Sequence, residues 1–328
     1  MKRFNKVFAV IIGSTLLISN SYAAEKNMDN KPQNAIVIAA FGTTYDSTLA
    51  SLLDIKSSMQ TRYPNTEVRL AFTSNFIRKK WHKRATDKTY IAEHQNVPAT
   101  LYNVKNVLGT LADLQDLGFS NIVVQPTHLT HGEEYMDTKA IVDALADIET
   151  IKPKFKPFKR LALGRPLLGT WGVKYPYHQD IHSLAIALKD DVAQAKLQNR
   201  ALVYMGHGNE HLSTGLYKEF EIEMNKMYPQ VKTFVGLVEG FPDLNNIVMQ
   251  IESQHVTSIM LRPLMIVAGD HANNDMAGDE KDSWKTVLTT LGINVNTVLE
   301  GLGEKPAVQA IFIQHANDAA NDLGIQLN

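Results

Sequence analysis

Two histidines and a glutamate, His207, Glu239 and His271, follow one another at equal intervals of 32 residues. Each sits where an apolar run gives way to a polar, glycine-containing turn. The three runs are Val203-Tyr204-Met205-Gly206-His207-Gly208, Val235-Gly236-Leu237-Val238-Glu239-Gly240 and Met265-Ile266-Val267-Ala268-Gly269-Asp270-His271. Two imidazoles and one carboxylate suit a borderline divalent metal such as zinc, cobalt, nickel or iron(II), and suit magnesium or calcium poorly. Singly, each has a plainer reading: a strand-end histidine capping a helix, a solvated loop carboxylate, and a loop histidine hydrogen-bonded beside Asp270. The shared interval is what joins them.

That interval is about one β-α unit. Successive strands of a parallel sheet point the same way, so their C-terminal loops meet along one edge, where ligands bind in such sheets. The rest of the chain supports this geometry through an internal repeat. Ala35-Ile36-Val37-Ile38-Ala39-Ala40-Phe41 ends at Gly42-Thr43-Thr44, and Ala201-Leu202-Val203-Tyr204-Met205 ends at Gly206-His207-Gly208. Each is followed by a helical stretch closing at Tyr-Pro (Tyr63-Pro64, Tyr228-Pro229) and then another strand, Val68 to Thr73 and Thr233 to Val238. A third pair, Asn121 to Pro126 and Ser258 to Pro263, leads to Gly132-Glu133 and Gly269-Asp270.

Short apolar runs alternating with helix-length segments predict βαβ units. The predicted fold is α/β, with two similar lobes, each a parallel sheet flanked by helices, and a cleft between them. The first lobe is expected over 35–172 and the second, carrying the metal site, over 173–302. Residues 173–199 read as the crossover. A last helix from about Pro306, with proline at a favoured first-turn position, lies in a segment 303–328 expected to fold back on the first lobe.

Residues 1–23 have the layout of a secretory signal peptide: Lys2, Arg3 and Lys6, an apolar stretch from Val7 to Ile18, and the small-x-small site Ser21-Tyr22-Ala23. The expectation is export to the periplasm with cleavage, leaving 24–34 as a tether and no stable membrane insertion afterwards. Without those three cations, 30 Lys and Arg stand against 34 Asp and Glu, a net charge of −4. That mean charge argues against a nucleic-acid or anionic-membrane partner. The chain has no cysteine, which excludes disulfides, thiolate metal sites and iron–sulfur clusters. Its hydrophobic content of 44% is that of a globular protein able to rest on its core.

Further motifs are more specific. They are Phe41-Gly42-Thr43, Ala71-Phe72-Thr73-Ser74 with Ile77-Arg78-Lys79, Val124-Gln125-Pro126-Thr127-His128, Gly132-Glu133-Glu134-Tyr135 and Val238-Glu239-Gly240-Phe241-Pro242. A long run from Pro263 to Ala277 continues into Asp282-Ser283-Trp284-Lys285 and Gly301-Leu302-Gly303-Glu304. In this order, over about residues 35–322, they resemble the anaerobic sirohydrochlorin cobaltochelatases of the CbiK type, among the class II tetrapyrrole metal chelatases. The resemblance implies a lyase that inserts cobalt, with iron or nickel as alternatives, into sirohydrochlorin or a related ring. It also implies His207, Glu239 and His271 as metal ligands and catalytic residues. The signal-like start, the long segment 82–98 and Thr130-His131 depart from the family pattern.

Other side chains carry weaker expectations. His128 is either a cleft-facing group that handles a proton or ring carboxylate, or a satisfied interior histidine. Arg78 and Lys79, with Lys80, Lys83 and Arg84, form either a cationic rim for a carboxylate-rich substrate or a solvated helix face. His94, in the long loop, is either an ordinary surface residue or an axial haem ligand at a subunit contact, which would make the assembly a homo-oligomer. An exported non-catalytic carrier of haem, another tetrapyrrole or metal is the alternative to an enzyme.

Overall fold

The computed structural model describes residues 34–209 and 214–328. The expected signal peptide lies outside the described residues, as does the tether up to residue 33. Four strands, β1 (Asn34–Ala40), β2 (Glu67–Phe72), β3 (Asn121–Pro126) and β4 (Arg160–Leu163), form one parallel sheet in the order β2-β1-β3-β4. Four more, β5 (Ala201–Gly208), β6 (Thr233–Glu239), β7 (Ser258–Leu264) and β8 (Asn294–Thr297), form a second parallel sheet in the matching order β6-β5-β7-β8. The α/β class with two similar sheets is thus present as expected, and identical strand order makes the repeat a structural one. All seven residues of β1 are buried, as both-face coverage of a parallel sheet requires.

The helices in chain order are α1 (Ala50–Arg62), α2 (Asn75–Arg84), α3 (Lys88–Glu93), α4 (Val107–Asp116), α5 (Glu133–Ala146), α6 (Tyr177–Ala187), α7 (Lys189–Leu197), α8 (Thr214–Met227), α9 (Leu244–Ser253), α10 (Trp284–Thr290) and α11 (Pro306–Asp322). Caps fix several starts. Ser74 accepts from the Ile77 amide and Asn106 from that of Gly109. Asp243 and Asn246 form a reciprocal box at α9, satisfying amide donors that a helix leaves open. The crossover expected over 173–199 contains two helices, α6 and α7, meeting at Leu188.

Helix α11 packs against α1, α6, β3 and β4, with Gln309 accepting from the Ser58 hydroxyl at 2.6 Å. The largest apolar cluster draws on both sheets: Ile36 and Ile38 from β1, Leu202 and Tyr204 from β5, and Phe312 from α11. The two sheets therefore share a core, which holds their C-terminal edges in a fixed relation.

The long segment 82–98 is built around the helix α3. Asp87 caps that helix, and Tyr90 packs edge-on to Trp81, a residue with 0% exposure.

Candidate metal centre

His207 is the next-to-last residue of β5, and Glu239 ends β6. Gly208 sets their approach. It pairs in register with Glu239 and has φ +87°, and a Cβ there would lie 1.7 Å from the Glu239 carbonyl oxygen. Only glycine permits this contact. The result places His207 Nδ1 3.9 Å from a Glu239 carboxylate oxygen.

His271 follows the loop after β7 and begins a π-helical turn at Ala272–Met276, a distortion frequent at functional sites. Its ring meets that of His207 edge-on, with centroids 4.8 Å apart. His271 Nδ1 lies 2.6 Å from the Asp275 carboxylate. A carboxylate only accepts, so Nδ1 carries the proton and Nε2 is left to ligate. His207 Nδ1 lies 3.1 Å from the Gly208 carbonyl, and the same reasoning leaves its Nε2 free.

The structure thus brings the three predicted residues together at one strand edge. As they stand the three are neighbours and not a formed metal site: among the described residues, no group of three His, Asp or Glu side chains is placed to hold an ion. The cluster is an open one, with His207 and His271 partly exposed and Glu239 exposed.

Both histidines line a cavity of about 820 Å³, and Phe41, Ser74, His128 and Glu134 line it from the first sheet. Strand register explains the opposition. Ala39 pairs with Pro126 as Met205 pairs with Pro263, and Ala40 pairs with Phe72 as Gly206 pairs with Leu237. Counting outward, Phe41, Ser74 and Glu134 occupy in the first repeat the places that His207, Glu239 and His271 hold in the second. One lobe presents metal-binding side chains; the other presents an aromatic ring, a hydroxyl and a carboxylate to the same space.

Tyr45, on the loop after β1, bridges the two lobes. Its hydroxyl donates to Asp270, beside His271, at 2.6 Å. That hydrogen bond is the main cause of its raised pKa.

His128 stands in the cavity wall with both ring nitrogens buried and without a hydrogen-bond partner. Burial pushes its pKa down to about 4, so the ring is neutral near pH 7.

Arg78 does not line the cavity. Its guanidinium is held by the Phe72 and Thr73 carbonyls, at 2.5 and 2.8 Å. Lys79 is exposed and also outside the lining, whereas Lys80 and Arg84 of the same helix reach it. Arg84 lies over the Trp81 and Tyr90 rings and 3.5 Å from Asp46.

His94 has both ring nitrogens engaged, Nδ1 with the Tyr90 carbonyl at 2.7 Å and Nε2 with Asp46 at 3.2 Å. Its ring stacks on Tyr90. Both nitrogens are thus occupied, whereas an axial haem ligand needs a free one.

Glu134, Asp275 and Tyr45 escaped selection from sequence. Glu134 had a signal in the repeat: superposing Gly132-Glu133 on Gly269-Asp270 sets it directly over His271. Tyr45 had none, because its partner lies 225 residues away.

Comparison with known proteins agrees with this architecture. The family model described as cobalt chelatase (CbiK) matches residues 34–321. Sirohydrochlorin cobaltochelatase of Salmonella typhimurium strain LT2 is 30% identical over 290 residues, covering 88% of this chain and 97% of that protein. Sirohydrochlorin cobaltochelatase CbiKC of Nitratidesulfovibrio vulgaris is 27% identical over 291 residues, covering 89% and 92%. Among solved structures, SirB from Bacillus subtilis with Fe3+ superposes with a TM-score of 0.56 at 12% identity, covering 90% of this chain and 99% of that one. The sirohydrochlorin chelatase SirB from Bacillus subtilis subspecies spizizenii, in complex with cobalt, superposes at 0.54 and 11% identity, covering 90% and 98%. At those identities the structures support the fold alone. With the family model matched from β1 through almost all of α11, the chain belongs to the cobalt chelatase (CbiK) family.

Proposed function

We propose that this protein is a sirohydrochlorin cobaltochelatase, a lyase that forms nitrogen–metal bonds by inserting cobalt, or iron or nickel, into sirohydrochlorin or a related tetrapyrrole. The observation that carries the reading is the clustering of His207, Glu239 and His271 at one sheet edge, with both histidines lining a cavity faced by the other lobe. The relatives named for this activity span nearly their whole length in the alignment.

In this reading the divalent metal is a substrate. His207 and His271 offer it Nε2, and Glu239 lowers the charge of the complex. Three protein ligands leave coordination positions open, which suits a metal that must be handed on, unlike a closed structural site. As the metal enters the ring, two pyrrole N–H protons leave. Glu134, a carboxylate on the facing wall, is the candidate acceptor of one of them, the other passing to solvent water at the open side of the cavity, and the neutral His128 is a candidate hydrogen-bond partner for the ring. Lys80 and Arg84, which reach the cavity from α2, supply positive charge at its rim for a carboxylate-rich ring.

The test is to mix purified protein, Co2+ and sirohydrochlorin and follow the absorption spectrum of the ring. Accelerated conversion over the protein-free rate supports the reading, and an unchanged rate rejects it. Carriage of haem through His94 has less support, given that both nitrogens of that ring are engaged.

We also propose export to the periplasm with cleavage after Ala23, supported by the basic start, the apolar stretch and Ser21-Tyr22-Ala23. Intact-mass measurement on protein recovered from the envelope fraction tests this. A mass that retains Met1 to Ala23 contradicts it.

A further inference from the structure

The connection from α5 to β4 reads Ile151-Lys152-Pro153-Lys154-Phe155-Lys156-Pro157-Phe158-Lys159-Arg160, ten residues with five cations and no anion. Asp147 and Glu149 just upstream still leave the local net charge at +3. Two large apolar side chains stand out in the same run, Ile151 at 103% exposure and Phe155 at 62%.

The run is held in place. Phe158 and Leu161 are buried in the apolar cluster on one face of the first sheet. The Phe155 and Lys156 amides close a tight turn on the Lys152 and Pro153 carbonyls, at 2.9 and 3.1 Å. The Lys159 and Arg160 amides both donate to Ser120, which brings the Leu117–Ser120 turn alongside, and Leu117 is itself 55% exposed. Of the cations, Lys156 reaches Glu149 at 2.8 Å and Lys154 lies over the Phe155 ring. Among the described residues, Lys152, Lys159 and Arg160 pair with no carboxylate.

We propose that this turn is a peripheral contact for an anionic phospholipid bilayer. Interleaved cations and protruding apolar side chains fit a lipid interface, where the cations meet headgroups and the apolar tips enter the boundary beneath them. A nucleic acid would use the cations but leave Ile151 and Phe155 without a role. The mean charge of the chain disfavours an anionic surface, but the Debye length near 10 Å makes attraction a local property. The turn precedes β4 and therefore lies at the N-terminal edge of the first sheet. The cavity lies at the C-terminal edge, the length of a strand away, about 20 Å for the six residues of β3. Attachment here leaves the cleft facing solvent.

The test measures co-sedimentation of the full-length chain with phosphatidylglycerol–phosphatidylcholine vesicles and with phosphatidylcholine vesicles. It compares wild type with an apolar variant (Ile151→Ser, Phe155→Ser) and a charge variant (Lys152→Gln, Lys154→Gln, Lys159→Gln). All three proteins share residues 1–23 with Lys2, Arg3 and Lys6, so the comparison between variants on the same vesicles is the arm that isolates the turn. These side chains are exposed, and an unchanged thermal melt checks that each variant is folded. Wild type is expected to favour the anionic vesicles, with binding reversed by high salt. The charge variant should lose about fivefold per cation removed, on the order of a hundredfold in all. The apolar variant should also lose binding. Equal partitioning of wild type to both vesicle types overturns the proposal, as does full binding by either variant. Tighter binding to a short DNA duplex than to the anionic vesicles overturns it as well.

Discussion

His271 donates its Nδ1 proton to Asp275, one turn further along the chain, at 2.6 Å. This contact fixes which nitrogen of the ring faces a metal and raises its basicity. Neither residue contributes much to the core, since both are solvent-accessible.

Replacing Asp275 by Asn should therefore weaken binding of the metal substrate by roughly 10- to 100-fold, the range found for partners of ligating histidines. Melting should be nearly unchanged. Titration of the protein with Co2+, monitored by calorimetry, measures the effect. Unaltered affinity would mean that Asp275 does not orient His271.

The buried ring of His128 gives a pH dependence with a definite sign. Its folded pKa is pushed down to about 4, against an ordinary value near 6.5. Between these values the unfolded chain binds the extra proton, so stability falls as pH drops from about 6.5 towards 4 and is unaffected by this group above that window. The loss is on the order of 3 kcal/mol at the acid end. In denaturant titrations, His128→Leu should flatten the stability profile across this window. A variant whose profile keeps the wild-type slope would show that His128 is not shielded from protons.

A second buried group lies inside a strand that reads as apolar. Arg262 in β7 is 2% exposed, and its guanidinium lies 3.2 Å from Asp191, which is 1% exposed, and 2.9 Å from Glu300. Lys305 completes the network, 2.7 Å from Asp191. Arg262→Ala would leave Asp191 with less compensation in the interior, at a cost of roughly 3–5 kcal/mol. Asp191→Asn with Arg262→Ala should cost less than the sum of the single changes. Chemical denaturation measures both; strict additivity would argue against coupling.

Residues with a repeating context could be read from sequence. Three strands of each sheet form apolar runs, and the ligand-type residues sit at matching ends of such runs. The edge strands β4 and β8 escaped notice because they have only four residues each and mixed burial, so no hydrophobic period builds up. The cationic run of α2 was visible, but its sequence did not tell which side chains reach the cavity. Helical geometry turns Lys80 and Arg84 inward and leaves Arg78 to bind carbonyls. The setting of His94 was hidden for a related reason: its partners Asp46 and Tyr90 are fixed by the packing of α3, which a polar segment does not announce.

In the proposed reaction His207, Glu239 and His271 together present the metal to the ring. The most direct measurement is the initial rate of Co2+ insertion into sirohydrochlorin by wild type, His207→Ala, His271→Ala and Glu239→Gln, each checked for an unchanged melting temperature. Both alanine variants are expected to lose at least about a hundredfold in rate, the scale of a lost acid–base or ligand group, and Glu239→Gln to lose less because its shape is kept. Wild-type rates in folded His207→Ala and His271→Ala would contradict this assignment.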